Sequence, residues 1–446
     1  MEITLGSWSI ISAPSLLALI PLVVYIILAF RGKNNVSGLL AGIAVAALLM
    51  GLNLKTIAQV FQASMGSVTV LIGIIILAGA GLGVLMSEAR VTHTLVYWIV
   101  KKIGVNTQTK AKIALIIASI LICGMLGTMG GGNAVIAPIM IPILASLGIA
   151  PTVVAVLFKV AGEIGLILGP LTGVTLITME VTGLSYLELL VFATLPFSIV
   201  WLFGAWIGTN RLQKKLAGKE EYTISEDIKS IDDIEINPKE KRTTIAFLVG
   251  FLLLVAYGVV TKQGTNYALI VMILLATIVA IFSKMDVDRA VGYMAKGMAS
   301  QFNMLLIFIT IEVLLRLVTA GGGFDSLANL LGGLVENAGP TAVYLIAAIV
   351  GGFGIEAAAV AEIRIISDMF GALALETGLP MAVFATSILA ATRLTGSMYP
   401  TTNFASQMGT AQSQNTKDAL KALWISVAIV WAWIVIWGFV GPMILG

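Results

Sequence analysis

A polar interruption lies inside an apolar stretch at positions 391–403. Pro400 cannot donate a backbone hydrogen bond, so an α-helix must break or kink here. In hydrocarbon the released amides and carbonyls need partners, and such backbone is tolerated only where it is buried in protein or lines a water-filled cavity. The interruption therefore predicts a ligand-binding segment. Its polar groups are Thr395, Ser397, Thr401, Thr402 and Asn403.

A second interruption of the same kind occurs earlier, at Gly169-Pro170 within the apolar stretch 151–180. The groups that follow it are Thr172, Gly173 and Thr175. For either break alone, the alternative is a proline kink whose neighbouring hydroxyl groups bond back to the helix. Because the chain contains the feature twice, we favour a pair of broken helices, which in membrane transporters supply ion and substrate sites near mid-membrane.

Glycine-rich segments divide two further pairs of apolar arms. The first pair occupies 110–147 and is divided at 127–133, and the second occupies 339–374 and is divided at 351–356. Each arm is short or loosely bounded against the roughly 20 residues that a span needs. We expect two re-entrant hairpins with tips in the membrane, although isolated glycines also serve close helix packing. The tips would offer Thr128, Gly131, Gly132 and Asn133, and Gly352, Gly354 and Glu356.

The two tips and the two broken helices should converge on one site. Half-helix N-termini attract anions, and C-termini with free carbonyls attract cations. The pattern predicts an anionic substrate with Na⁺ beside it. The expected substrate groups are Thr128, Gly131, Gly132, Asn133, Thr172, Gly354, Glu356, Arg393, Ser397, Thr401, Thr402 and Asn403. The expected coupling-ion groups are Gly169, Thr172, Thr175, Thr395, Ser397, Glu163 and Glu356.

Charged residues within the apolar stretches are a second signal, because each costs a few kcal/mol and persists only when it is paired or functional. Glu163 and Arg393 each lie about two turns before a proline and have opposite sign. They could form a buried pair, or Arg393 could bind a carboxylate while Glu163 takes a proton. Lys159, one turn before Glu163, is an alternative partner.

Three acidic residues around the second hairpin complete this set. Arg364 and Asp368 have the spacing of a local helical pair. Glu362 lies on another face without an evident partner in the sequence. Glu356 at the tip is the best single candidate for a gating or proton-carrying carboxylate.

The composition indicates an integral membrane protein. Of 446 residues, 59% are hydrophobic and 11% are charged, against about a quarter charged in soluble domains. The single cysteine, Cys123, excludes an intramolecular disulfide, and the single histidine, His93, excludes a multi-histidine metal site. No phosphate-binding loop or catalytic triad occurs, so we expect no enzyme activity and no cofactor beyond possible Na⁺. A net charge of +3 gives no reason to expect a nucleic-acid partner.

The apolar stretches recur in one order on either side of a polar segment at 209–242, which we expect to be a cytoplasmic linker. Shared breaks and caps at a nearly constant offset predict an internal repeat, with halves at 1–208 and 243–446. The expected spans are 10–30, 36–53, 66–86, 151–180, 187–208, 243–260, 267–284, 298–318, 380–405 and 416–444. Amphipathic stretches at 88–104 and 323–336 indicate interfacial helices.

Five spans and one hairpin in each half place the halves in opposite orientations, because five is an odd number. Lys and Arg residues concentrate on the side that holds the linker, whereas Lys55, Lys262 and Arg316 lie on the other. Because positive charge favours the cytoplasmic side, we expect both termini outside the cytoplasm. The predicted fold class is all-α, with two inverted repeats and discontinuous helices at the site.

With these motifs the chain resembles the ion-transporter superfamily of secondary transporters. This group includes the anaerobic four-carbon dicarboxylate carriers, the gluconate permeases and the large membrane subunit of TRAP transporters. The resemblance covers nearly the whole chain through element order and is closest locally at 148–151, 169–173, 184–188 and 194–196. It implies an elevator mechanism and a homodimer in the lipid bilayer of the cytoplasmic (inner) membrane.

The resemblance implies a secondary active transporter of a small organic anion, carrying a carboxylate and coupled to Na⁺ or H⁺. Related sodium/dicarboxylate symporters have Ser-Asn-Thr motifs at both hairpin tips. Here the tips contain Gly-Gly-Gly-Asn and Gly-Phe-Gly-Ile-Glu instead. Because some members of the superfamily are Na⁺/H⁺ antiporters and acidic residues near the site are numerous, a Na⁺/H⁺ antiporter is the first alternative, and a membrane subunit that requires a partner is the second.

Overall fold

A computed structural model describes residues 3–222, 236–335, 339–354 and 359–446. Helices are the only regular secondary structure in these ranges. Nine of the helices described there are long and apolar enough to cross a membrane: Val68–Glu88, Gln108–Leu126, Met129–Ser146, Pro151–Leu168, Tyr186–Leu216, Pro238–Val260, Thr265–Phe282, Phe302–Ala320 and Thr416–Leu445. The chain is an all-helical, multi-pass membrane protein.

Eleven α-helices precede the linker. They are α1 (Ile20–Phe30), α2 (Asn35–Leu49), α3 (Leu54–Ser64), α4 (Val68–Glu88), α5 (Val91–Ile103), α6 (Gln108–Leu126), α7 (Met129–Ser146), α8 (Pro151–Leu168), α9 (Gly173–Thr182), α10 (Tyr186–Leu189) and α11 (Leu195–Leu216). A single π-helical turn, Leu190–Thr194, joins the last two, so they form one continuous rod.

Eleven α-helices follow the linker. They are α12 (Pro238–Val260), α13 (Thr265–Phe282), α14 (Val287–Ser300), α15 (Phe302–Ala320), α16 (Gly323–Val335), α17 (Gly339–Gly354), α18 (Ala359–Glu376), α19 (Met381–Arg393), α20 (Thr395–Met398), α21 (Thr402–Thr410) and α22 (Thr416–Leu445). The starts of α7 and α18, at positions 129 and 359, lie 230 positions apart, and so do those of α8 and α19, at 151 and 381.

Two short amphipathic helices, α3 and α14, were not expected from the sequence. Asn53 caps the first by accepting from the Thr56 amide, and Asp286 caps the second through the Asp288 amide. The expected span 36–53 consequently ends at Leu49, where α2 ends. Both helices mix polar and apolar residues, whereas spans are predicted from continuous apolar stretches.

The linker is shorter than the expected 209–242. Helix α11 continues to Leu216, and its last turn contains the basic residues Lys214 and Lys215. Helix α12 begins at Pro238, after a capping box in which the Asn237 side chain accepts from the Glu240 amide and Glu240 accepts in return. Within the intervening segment, 223–235 lies outside the described residues.

The first hairpin consists of α6 and α7, which pack against each other. Gly127 adopts a left-handed conformation (φ 66°), and Thr128 then caps α7 by accepting from the Gly131 amide at 3.5 Å. Helix α7 therefore begins at Met129 rather than at the expected 134, and the glycines form its first turn. In the second hairpin α17 packs against α18, and the expected tip residue Glu356 lies outside the described residues.

Packing within each half and between the halves brings the interrupted helices to the hairpins. Helix α6 packs on α8 and α17 on α19. Across the halves, α21 contacts α7, and α9 contacts α18. Helices α12 and α13 lie at the periphery, where Val249, Leu252 and Ile273 expose apolar surface suited to lipid.

Candidate functional site

The first helix break separates α8 from α9. Gly169 ends α8 in an extended conformation, and Thr172 caps α9 by accepting from the Thr175 amide at 3.2 Å. The Thr172 hydroxyl donates to the Leu166 carbonyl, and the Tyr186 hydroxyl donates to the Leu168 carbonyl at 2.7 Å. Side chains thus satisfy the carbonyls that the break releases, as a low-polarity environment requires.

The second break is longer, running from the end of α19 at Arg393 to the cap of α21 at Thr401. The Thr401 hydroxyl accepts from the Phe404 amide at 3.3 Å. Thr395 donates to the Gly352 carbonyl at 2.9 Å and so joins this break to the second hairpin. The hydroxyl of Ser397, a fully buried residue, has no hydrogen-bond partner among the described residues.

The tip of the first hairpin contacts the first break. A Cβ atom added at Gly127 would lie 3.8 Å from the Thr172 Cα atom. Gly132 is packed against the other arm, because a Cβ atom there would lie 2.6 Å from the Cys123 sulfur. Gly131 is exposed. The predicted tip residues therefore divide into a buried packing side and an open side.

Asn133 joins the first hairpin to the second half of the chain. Its Nδ2 atom donates to the Phe158 carbonyl at 2.9 Å and to Gln407 Oε1 at 2.7 Å. Its Oδ1 atom accepts from the Ser119 hydroxyl at 2.6 Å and from the Cys123 thiol at 3.4 Å. Asn133 is fully buried, and every polar capacity of its amide is used.

An open polar surface lies between the first turn of α7 and the first half of α21. A Cβ atom added at Gly130 would lie 3.7 Å from the Ser406 hydroxyl, so the first turn of one helix faces the other helix. The residues exposed along this surface are Gly131, Thr402, Asn403 and Ser406. We call this set the open polar surface. It places predicted groups from a hairpin and from a broken helix side by side.

Four charged side chains on α8, α18 and α19 form a buried network. Glu163 bonds Lys159 at 2.6 Å through one carboxylate oxygen and Arg393 at 2.5 Å through the other. Arg393 also lies 3.8 Å from Glu362 of the second hairpin. All four residues are at most 5% exposed. We call Lys159, Glu163, Glu362 and Arg393 the buried ion network.

The buried ion network combines the two partnerships that the sequence left as alternatives for Glu163. Two cations and two carboxylates balance, which is the condition under which charges persist in a low-dielectric interior. The expectation that Glu362 has no partner was wrong, because the fold brings α18 alongside the end of α19. Lys159 also reaches the second break, since its Nζ atom would lie 3.0 Å from a Cβ atom at Gly396.

A second group of charges lies on the helices around the second hairpin. Arg364 and Asp368 are paired at 3.3 Å, which confirms the local pair. Glu312 and Arg316 form an equivalent pair at 2.9 Å on α15 that the sequence analysis missed. The i, i+4 spacing of these two residues was the available signal.

Gln407 and Ser406 are the residues of the site that sequence reasoning missed. The expected span ended at 405, one turn short of the end of α21. Gln407 lies four residues after Asn403 and could have been found as the next polar position on that helix. Its contact with Asn133 depends on packing between segments 274 positions apart, which no local pattern contains.

Comparisons with known proteins define the fold. No family model and no curated protein sequence matches the chain. Solved structures match over most of its length, and two of them are membrane transporters. MtrF of Neisseria gonorrhoeae, described with a class of antimetabolite efflux pumps, is 16% identical over 88% of this chain and 84% of its own, with a TM-score of 0.58.

The YdaH transporter of Alcanivorax borkumensis is also similar. It is 16% identical over 87% of this chain and 88% of its own, with a TM-score of 0.60. At this identity the likeness concerns the fold, so the chain has the fold of two membrane transporters. Membership of the ion-transporter superfamily stays a prediction.

Proposed function

We propose that the chain is a secondary active transporter that moves a small organic anion, carrying a carboxylate, across the cytoplasmic membrane, coupled to Na⁺ or H⁺. The proposal extends the role of the two structural neighbours to a site built from this chain's own residues. A substrate would bind at the open polar surface, beside Thr128 and Thr401, which cap α7 and α21. The buried ion network would hold the two broken helices in register.

The observation that carries the proposal is the exposed first turn of α7, where Gly130 faces Ser406 in the middle of α21. Helix N-termini carry free amides and the positive end of the helix dipole, and together they form a ready anion site. The Lys159 ammonium, which is paired with Glu163, also approaches Gly396 and adds a hydrogen-bond donor near the second break. A carboxylate could place one oxygen at the first turn of α7 and the other at the Ser406 hydroxyl of α21.

The coupling ion would bind at the first break. Gly169, Thr172 and Thr175 gather backbone carbonyls and hydroxyl groups, which are hard oxygen ligands suited to Na⁺. Thr395 and Ser397 are the corresponding groups at the second break. Glu163 and Glu356 remain the proposed proton carriers should H⁺ be the driving ion.

The larger mechanism is also a proposal. The matched order of helices before and after the linker supports two repeats of opposite orientation, at 1–208 and 243–446. In such an arrangement hairpins and broken helices move as one body against the outer helices, an elevator motion. A homodimer, formed through the peripheral helices, would hold the fixed part.

Reconstituted proteoliposomes test the proposal. The purified chain is assayed for uptake of radiolabelled succinate, gluconate and citrate under separately imposed Na⁺ and H⁺ gradients, and for export, since MtrF is described with efflux pumps. We expect gradient-driven transport of a carboxylate, and we expect Arg393→Ala to abolish it. Lys219→Ala, at an exposed linker position, is the control and should transport normally.

A Na⁺/H⁺ antiporter is the second candidate, favoured by the two buried carboxylates Glu163 and Glu362. In the same vesicles it would show Na⁺-driven proton movement, read with a pH-sensitive dye, without any organic anion. That result would contradict the anion proposal. Inactivity in every assay would support the third reading, a membrane subunit that requires a partner.

A further inference from the structure

Gln407 carries a buried polar atom that no described residue satisfies. The side chain is fully buried on α21, and its Nε2 atom has no hydrogen-bond partner within the part of the chain that the structure describes. Most buried polar side-chain atoms in proteins are paired, and leaving a donor unpaired costs about 1–3 kcal/mol. Such an atom calls for an explanation when it lies beside a candidate binding site, where α21 also bears Asn403 and Ser406.

The hydrogen-bond chain through Asn133 fixes which way the Gln407 amide faces. The Phe158 carbonyl can only accept, so the Asn133 atom that faces it must be the donor Nδ2. The same Nδ2 atom faces Gln407, so the Gln407 atom there must be the acceptor Oε1. Ser119 adds a consistent constraint, since its hydroxyl donates to Asn133 Oδ1. Gln407 Nε2 is thereby left to face away from Asn133.

We propose that Gln407 Nε2 donates a hydrogen bond to an oxygen of the transported anion and so helps to select it. This inference rests on the proposed function and adds a specificity-determining residue to the same site. An amide N–H donates and cannot ligate a cation. The position therefore favours a carboxylate, carbonyl or hydroxyl oxygen of the substrate over the coupling ion.

The burial of Nε2 has a mechanical consequence. Because the atom has no solvent-exposed surface, a ligand oxygen reaches it only after α21 shifts away from its neighbours. Helix α21 is nine residues long and is bounded by the break at Pro400 and the turn before α22, so it can move as a unit. Substrate entry and displacement of α21 are then one event, in which the Asn133 contact keeps the amide oriented.

The substitution Gln407→Glu separates the ligand bond from the structural one. A carboxylate at this position can still accept from Asn133, but it replaces the outward donor by an acceptor that repels an anion. Gln414→Glu makes the same change at an exposed position seven residues along the chain and is the matched control. Gln407→Leu removes both bonds, and its melting temperature without ligand reports the loss of the bond from Asn133.

The measurement is the affinity of the purified full-length protein for succinate, gluconate and citrate, read by isothermal titration calorimetry, with the melting temperature measured in parallel. We expect Gln407→Glu to weaken binding of the preferred anion at least about tenfold, the effect of one lost hydrogen bond to a charged group. Melting temperatures without ligand report the structural part of each change, since Gln407→Leu loses the bond from Asn133 and Gln407→Glu keeps it but buries a carboxylate. Gln414→Glu should bind as the wild type does.

The other outcomes of these measurements contradict the inference. Wild-type binding with unchanged affinity in Gln407→Glu overturns this inference and leaves the proposed function standing. Tighter Na⁺ binding in Gln407→Glu, measured as Na⁺-dependent thermal stabilisation, overturns it too, because the side chain would then face the cation. If the wild type binds none of the three anions, the proposed function and this inference fail together.

Discussion

At the scale of single residues, Glu163 is the centre of the buried ion network. Each of its carboxylate oxygens holds one cation, Lys159 or Arg393. Removing a partner from a buried pair is costly, about 3–5 kcal/mol, because it leaves an uncompensated charge in a low-dielectric interior. The four members contribute unequally, since Glu163 makes two short contacts and Lys159 makes one.

We expect Glu163→Gln to lower the stability more than Lys159→Met does. The first substitution leaves two buried cations with a single carboxylate, Glu362, at 3.8 Å from Arg393. The second leaves Glu163 paired with Arg393. Thermal unfolding in detergent measures the difference. Equal losses of stability in the two variants would contradict a network in which Glu163 neutralises both Lys159 and Arg393.

Exchange of the pair provides the control for this ranking. The double variant Glu163→Arg with Arg393→Glu keeps opposite charges at the two positions. It should not restore stability, because Lys159 would then face an arginine and Glu362 a glutamate. Recovery to the wild-type melting temperature would show that the outer two members do not belong to the network.

The glycines of the first hairpin make a second residue-scale prediction. Gly132→Ala should destabilise the protein by about 1–3 kcal/mol, because the new Cβ atom would meet the Cys123 sulfur at 2.6 Å in a packed interior. Gly130→Ala is the matched control, since its nearest neighbour, the Ser406 hydroxyl, is 3.7 Å away. Melting temperatures compare the two, and a loss in both would assign the effect to backbone conformation instead.

At the scale of elements, the first residues of the linker fasten the ends of two site helices. Glu220 accepts from the Thr152 amide at 3.2 Å and from the Ser413 hydroxyl at 3.3 Å. Tyr222 donates to the Ala411 carbonyl at 3.0 Å. Burial and the neighbouring Glu220 carboxylate raise the pKa of Tyr222, so it stays a donor at neutral pH. The linker thereby caps α8 and holds the turn between α21 and α22.

Breaking this contact should loosen the start of α8. We expect Glu220→Ala, which removes the acceptor, to cost about 0.5–2 kcal/mol, the usual loss when an N-terminal cap is removed, and to speed amide exchange at the beginning of that helix. Hydrogen–deuterium exchange with mass spectrometry measures it. Glu221→Ala, at the exposed neighbouring position, is the control and should leave exchange unchanged. An equal effect of both variants would indicate a general charge effect.

At the scale of the whole molecule, three segments expected on the cytoplasmic side lie together. Gln213, at the end of α11, donates to the Gly148 carbonyl at 2.8 Å and accepts from the Ala150 amide at 3.1 Å. Lys215 pairs with Asp418 at the start of α22 at 2.5 Å. The end of the first hairpin, the linker and the start of the last helix therefore share one surface, in accord with the proposed topology.

Labelling of single cysteines tests the orientation of that surface. In a Cys123→Ser background, Lys219→Cys should react with a membrane-impermeant maleimide only from the cytoplasmic side. Lys55→Cys and Gln263→Cys should react only from the opposite side, because the charge bias places both loops outside. All three positions are exposed. Labelling of Lys219→Cys and Gln263→Cys from the same side would contradict the topology.

The sequence by itself determined the features that depend on neighbouring residues. Pro170 and Pro400 mark the helix breaks because the missing amide acts locally. Gly127 and Thr128 mark the hairpin turn because a left-handed residue followed by a capping hydroxyl is a local device. The boundaries were less secure, as α7 shows by starting five residues earlier than expected.

Only the tertiary structure decided which of these local features meet. The approach of Glu362 to Arg393 and the bond from Asn133 to Gln407 join helices that no sequence spacing relates. Periodicity and breaker residues describe one segment at a time, whereas a buried polar partner depends on how distant helices pack. Only the fold therefore brings Gln407 and Glu362 to the site, because the partners of the polar groups at each break depend on which side chains the packing places nearby.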